Sequence, residues 1–195
     1  LRYMDEPPYE ILATNYMPYE ELQFLKRLES VFEQTYNTGY FGNVLRYLIE
    51  KNAAGAFAFY EKLTNWWVAA GHYPQTHNAK GVAKILYDFI LENYADEAEV
   101  LIEILRYDVF KDIAGWKPEW LRWNTEAFFE TVSDFWRDEE KVSKYIAGYK
   151  FSSWRQIHKN YPIELFKNDF ITGEARNYYV MVENIGEESK VSEVI

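Results

Sequence analysis

Apolar positions recur at helical spacing through most of the chain. Leu22, Leu25, Leu28, Phe32 and Tyr36 fall on one face of a helical repeat, which predicts a helix opening at Pro18 and closing before Gly39. Proline fits a first turn, Glu20 and Glu21 suit the positive end of the helix dipole, and glycine is favoured just past a C-terminus. Phe41, Val44, Leu45 and Leu48 mark a second, shorter helix. A third runs from Ala53 to Ala70, with Ala56, Phe59, Tyr60, Leu63 and Trp67 on one face and Gly71 behind it. Val82, Ile85, Leu86 and Phe89 carry a fourth, which starts near Thr76 or Asn78. Asp96 and Glu99 have the spacing of a capping box ahead of a fifth, whose face holds Ala98, Leu101, Ile102, Leu105 and Val109. Asn124 or Thr125 caps a sixth with Phe128, Val132, Phe135 and Trp136, and a short seventh covers Glu139–Ala147 up to Gly148.

The period then changes. Tyr178, Val180 and Val182 alternate with Tyr179, Met181 and Glu183, which is the repeat of a strand over Arg176–Glu183. Gln156–Phe166 reads as its partner, with Pro162 confining it to an edge or bulge and Thr172-Gly173 supplying the turn. Residues 1–17 read as an extended connector, because Pro7-Pro8 forbids helix there and restricts the residue before each proline. Residues 186–195 are polar and read as a disordered tail. The expected fold is therefore mainly α: a helical bundle of about six to seven helices with a small C-terminal β-hairpin, spanning residues 18–185. Short connections imply antiparallel neighbours, and no solenoid repeat is present.

Composition narrows the function. The formal charge of −10 argues against nucleic acid and anionic membranes, whose binders carry a basic face. No cysteine is present, which removes disulfides, thiolate nucleophiles and cysteine-held zinc or iron–sulfur sites from this segment. No apolar run is long enough to span a bilayer, and no signal peptide is evident, so a cytoplasmic setting is expected. The chain opens at Leu1 rather than Met, which fits a segment of a longer polypeptide. Aromatic residues make up 19% of the chain, an excess that points either to many hydrogen-bonded rings in the core or to a docking surface.

Motifs for chemistry are sparse. A two-histidine helical zinc site sets its ligands four apart, whereas His72 and His77 are five apart across Pro74; the plainer reading is a His77 bonding locally near a helix start. No glycine-rich phosphate loop or nucleophile elbow occurs, and no serine stands in a triad-like context. Asp108 sits beside Tyr107 near the end of an apolar helix, where a buried structural partner is the commoner explanation. Trp66-Trp67 and Phe128-Phe129 cannot both face one core, since neighbours on a helix diverge by roughly 100°. One ring of each pair must meet another helix, another domain, another subunit or a ligand.

These residues also carry a resemblance. Pro7-Pro8-Tyr9-Glu10-Ile11-Leu12 followed by Tyr19-Glu20-Glu21-Leu22 resembles the exit from the catalytic barrel of radical SAM proteins with an N-terminal cobalamin-binding domain. Glu29, Tyr36-Asn37-Thr38-Gly39 and Phe41 resemble the start of the C-terminal domain of unknown function in those proteins. Phe57 and Phe59-Tyr60 to Gly71, Tyr107-Asp108 with Pro118-Glu119-Trp120-Leu121, Ile157-His158 to Phe166, and Tyr179–Val182 resemble its later segments. One departure is His77-Asn78-Ala79-Lys80, where such proteins show His-Ser-Arg; lysine cannot reproduce a guanidinium's forked contact.

The resemblance implies a parent enzyme that uses S-adenosylmethionine, an iron–sulfur cluster and cobalamin, of the kind described as anaerobic magnesium-protoporphyrin ester cyclase-like. For this segment it implies a non-catalytic accessory domain that covers the active site or helps to recognise substrate, packed on the upstream radical SAM barrel of the same chain. The other reading is an interaction module that forms a homodimer or docks a partner protein through aromatic surface. No catalytic, cofactor-binding or metal-ligating residue is assigned. Tyr36, Tyr40, Trp67, His77, Tyr107 and Asp108 are the candidate substrate or interface contacts.

Overall fold

A computed structural model describes residues 2–3, 11–13, 16–124, 126–168, 175–184 and 190–195. The Pro7-Pro8 connector, a Thr125 cap and the Thr172-Gly173 turn lie outside these. The described residues form eight α-helices and five strands, a mainly α fold with a C-terminal antiparallel sheet of three strands rather than two. The chain divides into two compact units, Leu1–Glu92 and Asn93–Ile195.

The first unit is helical. A short antiparallel pair, β1 (Arg2–Tyr3) and β2 (Ile11–Ala13), precedes α1 (Tyr19–Thr35), α2 (Gly42–Lys51), α3 (Gly55–Ala69) and α4 (Ala79–Asn93). Pro18 is the N-cap of α1, as its fixed φ suits, and Gly39 takes the left-handed conformation (φ 74°) beyond the end of α1. The residues that α1 buries are Val31, Gln34 and Thr35, at its C-terminal end. Leu25 and Tyr36, two of the rings and aliphatics expected to face the core, are exposed instead, and Leu22, Leu28 and Phe32 are half-buried. The spacing is helical as expected, but only the last turns of α1 are fully covered.

Helix α3 buries Phe59, Tyr60, Leu63, Thr64 and Trp67; of the predicted face only Ala56, in the first turn, is exposed instead. Trp66, on the diverging side, donates its indole N–H to Glu92 at 2.7 Å and meets Phe89 edge-on at 5.3 Å. The second surface demanded by the Trp66-Trp67 pair is therefore another helix, α4. Asn78 opens α4 by accepting from the Gly81 amide at 3.0 Å.

The second unit builds on its sheet. Helix α5 (Ala98–Asp112) begins after a 3₁₀ turn at Ala95–Glu97, and no side chain caps it. Asp96 falls inside that turn, so the expected Asp96/Glu99 capping box does not form. A second 3₁₀ turn (Glu119–Leu121) leads to α6 (Phe129–Arg137), which begins after Phe128 with no side-chain cap, so the expected Asn124 cap is absent too. Helices α7 (Glu139–Ser143) and α8 (Trp154–Asn160) follow, then β3 (Ile163–Asn168), β4 (Ala175–Glu183) and β5 (Lys190–Val194).

Two expectations are corrected here. Gln156–Asn160 is helix, not strand, because Ser153 caps α8 by accepting from the Gln156 amide at 3.4 Å. The tail expected to be disordered from residue 186 forms β5 over Lys190–Val194, where pairing with β4 satisfies its backbone and Val194 is buried.

Strand β4 is central, between β3 and β5. Its period of two separates two cores. Tyr178, Val180 and Val182 join Phe110 and Phe166, with Tyr107 and Trp123 packed alongside. Met181 points the other way, among Phe128, Val132, Phe135, Trp136 and Val194, with Tyr179 packed against them. Helices thus cover both faces of a small sheet, which explains why β4 alternates ring and aliphatic on both sides rather than apolar with polar.

Candidate functional site

The sequence-selected residues fall in both units. Within the first, Trp67 is fully buried and meets the rings of His72 and His77 edge-on, at 5.8 and 5.7 Å between centroids. His77 is held at both ends: its amide donates to Gln34 Oε1 at 2.7 Å, and its Nε2 lies 3.0 Å from the His72 carbonyl oxygen. Burial, and then the neighbouring His77, push His72 below the usual histidine range, against the pull of Asp88. Among the described residues, no group of three or more His, Asp or Glu side chains is placed to hold a metal. Tyr36 is exposed and stacks on Phe32 at 4.9 Å, and Tyr40 is exposed beside Phe41.

Within the second unit, Tyr107 packs edge-on against Phe166 at 5.3 Å, and Asp108 is fully buried. Thus Trp67 and His77 come together around His72, Tyr36 and Tyr40 are surface rings, and Tyr107 and Asp108 belong to the packing of α5.

A buried polar network joins α5 to β3. Glu164 is wholly buried, accepting from Lys117 Nζ at 3.0 Å and from the Asn124 amide at 2.8 Å. Arg106 donates to the Arg122 carbonyl at 2.7 Å and pairs with Glu103 at 3.3 Å. Glu103 also accepts from the Lys167 amide and the Asn168 side chain. Burial pulls the Arg106 guanidinium below its ordinary range, and the carboxylates of Glu164 and Glu103 oppose this. Every one of these carboxylates is spent on a structural partner, so the network fixes β3 on α5.

Beside this network the second unit opens into a cavity of about 340 Å³. Its walls are largely rings and aliphatics: Phe110 and Ile113 from α5 and the residue after it, Phe128, Phe129 and Val132 around the start of α6, and Ile163 on β3. Phe129, the diverging partner of buried Phe128, is 55% exposed at this cavity. Both rings of the pair thus line the cavity, Phe128 while also packing in the core cluster of Val132, Trp136 and Met181.

Polar and charged residues join the apolar walls. Trp136 lines it, and the buried indole Nε1 of that residue has no hydrogen-bond partner among the described residues. Asn184 lines it too; its buried Oδ1 has no partner among the described residues, and its amide nitrogen donates to the Lys159 carbonyl at 3.4 Å. Among the described residues, the charged or titratable side chains that line it are Lys117, His158 and Lys159.

Sequence reasoning selected none of the polar residues of this cavity. Phe128-Phe129 was the one signal in the sequence that led to it. The rest is contributed by stretches far apart in the chain.

These features define a mainly α protein with an aromatic cavity set against a three-stranded antiparallel sheet. The chain belongs to a family described as protein of unknown function (DUF4080), whose model matches residues 1–185. No curated protein and no solved structure matches it significantly.

Proposed function

We propose that this chain is a non-catalytic accessory domain of a radical SAM enzyme and that it contributes to substrate recognition through its aromatic cavity. The cavity is the observation that carries the reading. It offers aromatic and aliphatic walls with a few polar side chains, His158 and Lys159 among them, the pattern of a small-molecule site. The acids of the neighbouring network are held by structural partners, which leaves recognition rather than acid–base chemistry as the use of this region. The radical SAM assignment itself rests on the sequence resemblance. Lacking cysteine, the chain offers no thiolate for an iron–sulfur cluster. The cluster, S-adenosylmethionine and cobalamin would be bound by the upstream barrel.

The test uses the complete natural polypeptide, purified without oxygen. It should carry a three-cysteine cluster motif outside this segment and cleave S-adenosylmethionine reductively. Phe129→Ala should then raise KM for the natural substrate and leave substrate-free cleavage unchanged. A polypeptide without that motif, or equal loss of both activities, refutes the reading.

The second reading, an interaction or dimerisation module, is favoured by one observation. Leu25, Tyr36 and Tyr40 expose apolar surface along α1 and the turn after it.

A further inference from the structure

The walls of the cavity narrow the class of its ligand, an inference that rests on the reading of it as a recognition site. At about 340 Å³ it is far larger than the roughly 30 Å³ share of one water, and voids bigger than a water are few in protein interiors. The volume lies near the lower end of small-molecule sites, the size for a ligand of about two fused rings. Accessibility decides which walls count. Phe110 and Phe128 keep only 5% exposure each and close the inner side. A ligand would meet chiefly exposed Phe129 and half-buried Trp116, Ile113 and Pro162, with the exposed side chains of His158 and Lys159 beside them.

The lining rings also differ in how they are held. Phe110 packs against Trp123 and Phe166, at 6.3 and 6.0 Å between centroids. Phe128 meets Tyr179 edge-on at 5.6 Å, and Trp116 meets Trp120 edge-on at 5.9 Å. Each is thus fixed by a ring from outside the cavity. Phe129 is the exception: it makes no ring contact among the described residues, and more than half of it faces water. Covering it is favourable for any apolar molecule. A flat aromatic gains more, because rings attract in offset and edge-on arrangements that a saturated molecule cannot form, and the fixed rings need no reordering to receive it.

We propose that this cavity binds a flat aromatic ring system of about two fused rings, covered by Phe129 and flanked by Trp116.

Isothermal titration of the 195-residue chain tests this with 2-naphthol and decahydro-2-naphthol, which share a skeleton and a hydroxyl but differ in flatness and π surface. 2-Naphthol should bind with Kd of about 1 mM or tighter, the range open to a ligand of this size. The saturated alcohol should bind about two- to tenfold more weakly, the span that an aromatic pair adds beyond burial. Phe129→Leu keeps an apolar side chain at an exposed position, so it should leave the unfolding midpoint unchanged and remove most of that preference. Phe57→Leu takes a similarly exposed ring, at 61%, from the first unit and should leave the preference intact. No binding of 2-naphthol at millimolar concentration overturns the proposal. So does equal binding of the two alcohols, an undiminished preference in Phe129→Leu, or the same loss in Phe57→Leu, which would mean adsorption to any exposed ring. The wild-type comparison stands whether or not either variant folds. These outcomes are separable from the reading beneath them: if Phe129→Ala raises KM in the complete polypeptide while 2-naphthol fails to bind here, recognition through the cavity stands and the aromatic ligand falls.

Discussion

At the scale of single residues, burial sets the chemistry of the aromatic polar groups. Tyr60 lies on the inner face of α3, with Phe32 and Phe59 edge-on at 5.0 and 5.1 Å. Burial raises its phenol from 10.0 to about 12, against a lowering contribution from the Thr35 hydroxyl and with a smaller raising one from Tyr36. The sign of the linkage follows. Below the unfolded value both states keep the proton and the contribution is fully present. Above it the unfolded chain ionises first, so stability falls as pH rises towards the folded value, at up to about 1.4 kcal/mol per pH unit. Tyr60→Phe removes this proton. Tyr94, Tyr149 and Tyr161 are also raised by burial, but they are common to both proteins and cancel in the comparison. Urea unfolding from pH 8 to 12 should therefore show the variant gaining on the parent above pH 10, by a total on the order of 2 kcal/mol. Parallel curves across that window would show that Tyr60 ionises as freely in the folded state as in the unfolded one.

At the scale of elements, the third strand holds the sheet's second core in place. Val194 on β5 is 1% exposed and belongs to the cluster of Phe128, Trp136 and Met181. Val194→Ala should cost about 1–2 kcal/mol, the transfer of its lost methyl groups together with incomplete collapse of the gap. Val194→Asp should cost more, since a carboxylate would be buried there without a partner. Chemical unfolding of the two variants checks the order; equal, near-zero costs would mean that β5 does not hold its place in solution. This strand was hidden from the sequence because Lys190–Val194 offers only two apolar residues, and backbone pairing to β4 does the rest. Elements with a full apolar face were legible: α2 through α5 lie where Leu45, Trp67, Phe89 and Leu105 placed them. Helix α8 was misread because its only strong marker is one capping serine, Ser153, ahead of a stretch that also suits a strand. The cavity was legible only as an unresolved ring at Phe129. Its polar residues, Trp136, Lys159 and Asn184, come from α6, α8 and the end of β4, and no local pattern links them.

At the scale of the whole molecule, charge and exposed apolar surface act in opposite directions. The formal charge is −10 at pH 7 and the isoelectric point is near 4.9, so copies repel one another at neutral pH. Leu25, at 37% exposure, and Tyr36, at 56%, lie on a face of α1 that would favour association if that repulsion were lifted. The chain should therefore scatter light as a monomer at pH 7 in low salt, and its apparent mass should rise as pH falls towards 4.9. Salt at constant neutral pH should act in the same direction by screening the repulsion over a Debye length of about 10 Å at 0.1 M. Two variants separate a specific face from general loss of charge. Leu25→Lys and Ala147→Lys make the same change in net charge at exposed positions, but only the first interrupts the apolar face of α1. Association suppressed by Leu25→Lys and retained by Ala147→Lys identifies α1 as the contact and strengthens the interaction-module reading. Equal behaviour of the two would assign the association to charge neutralisation alone and count against α1 as a specific contact.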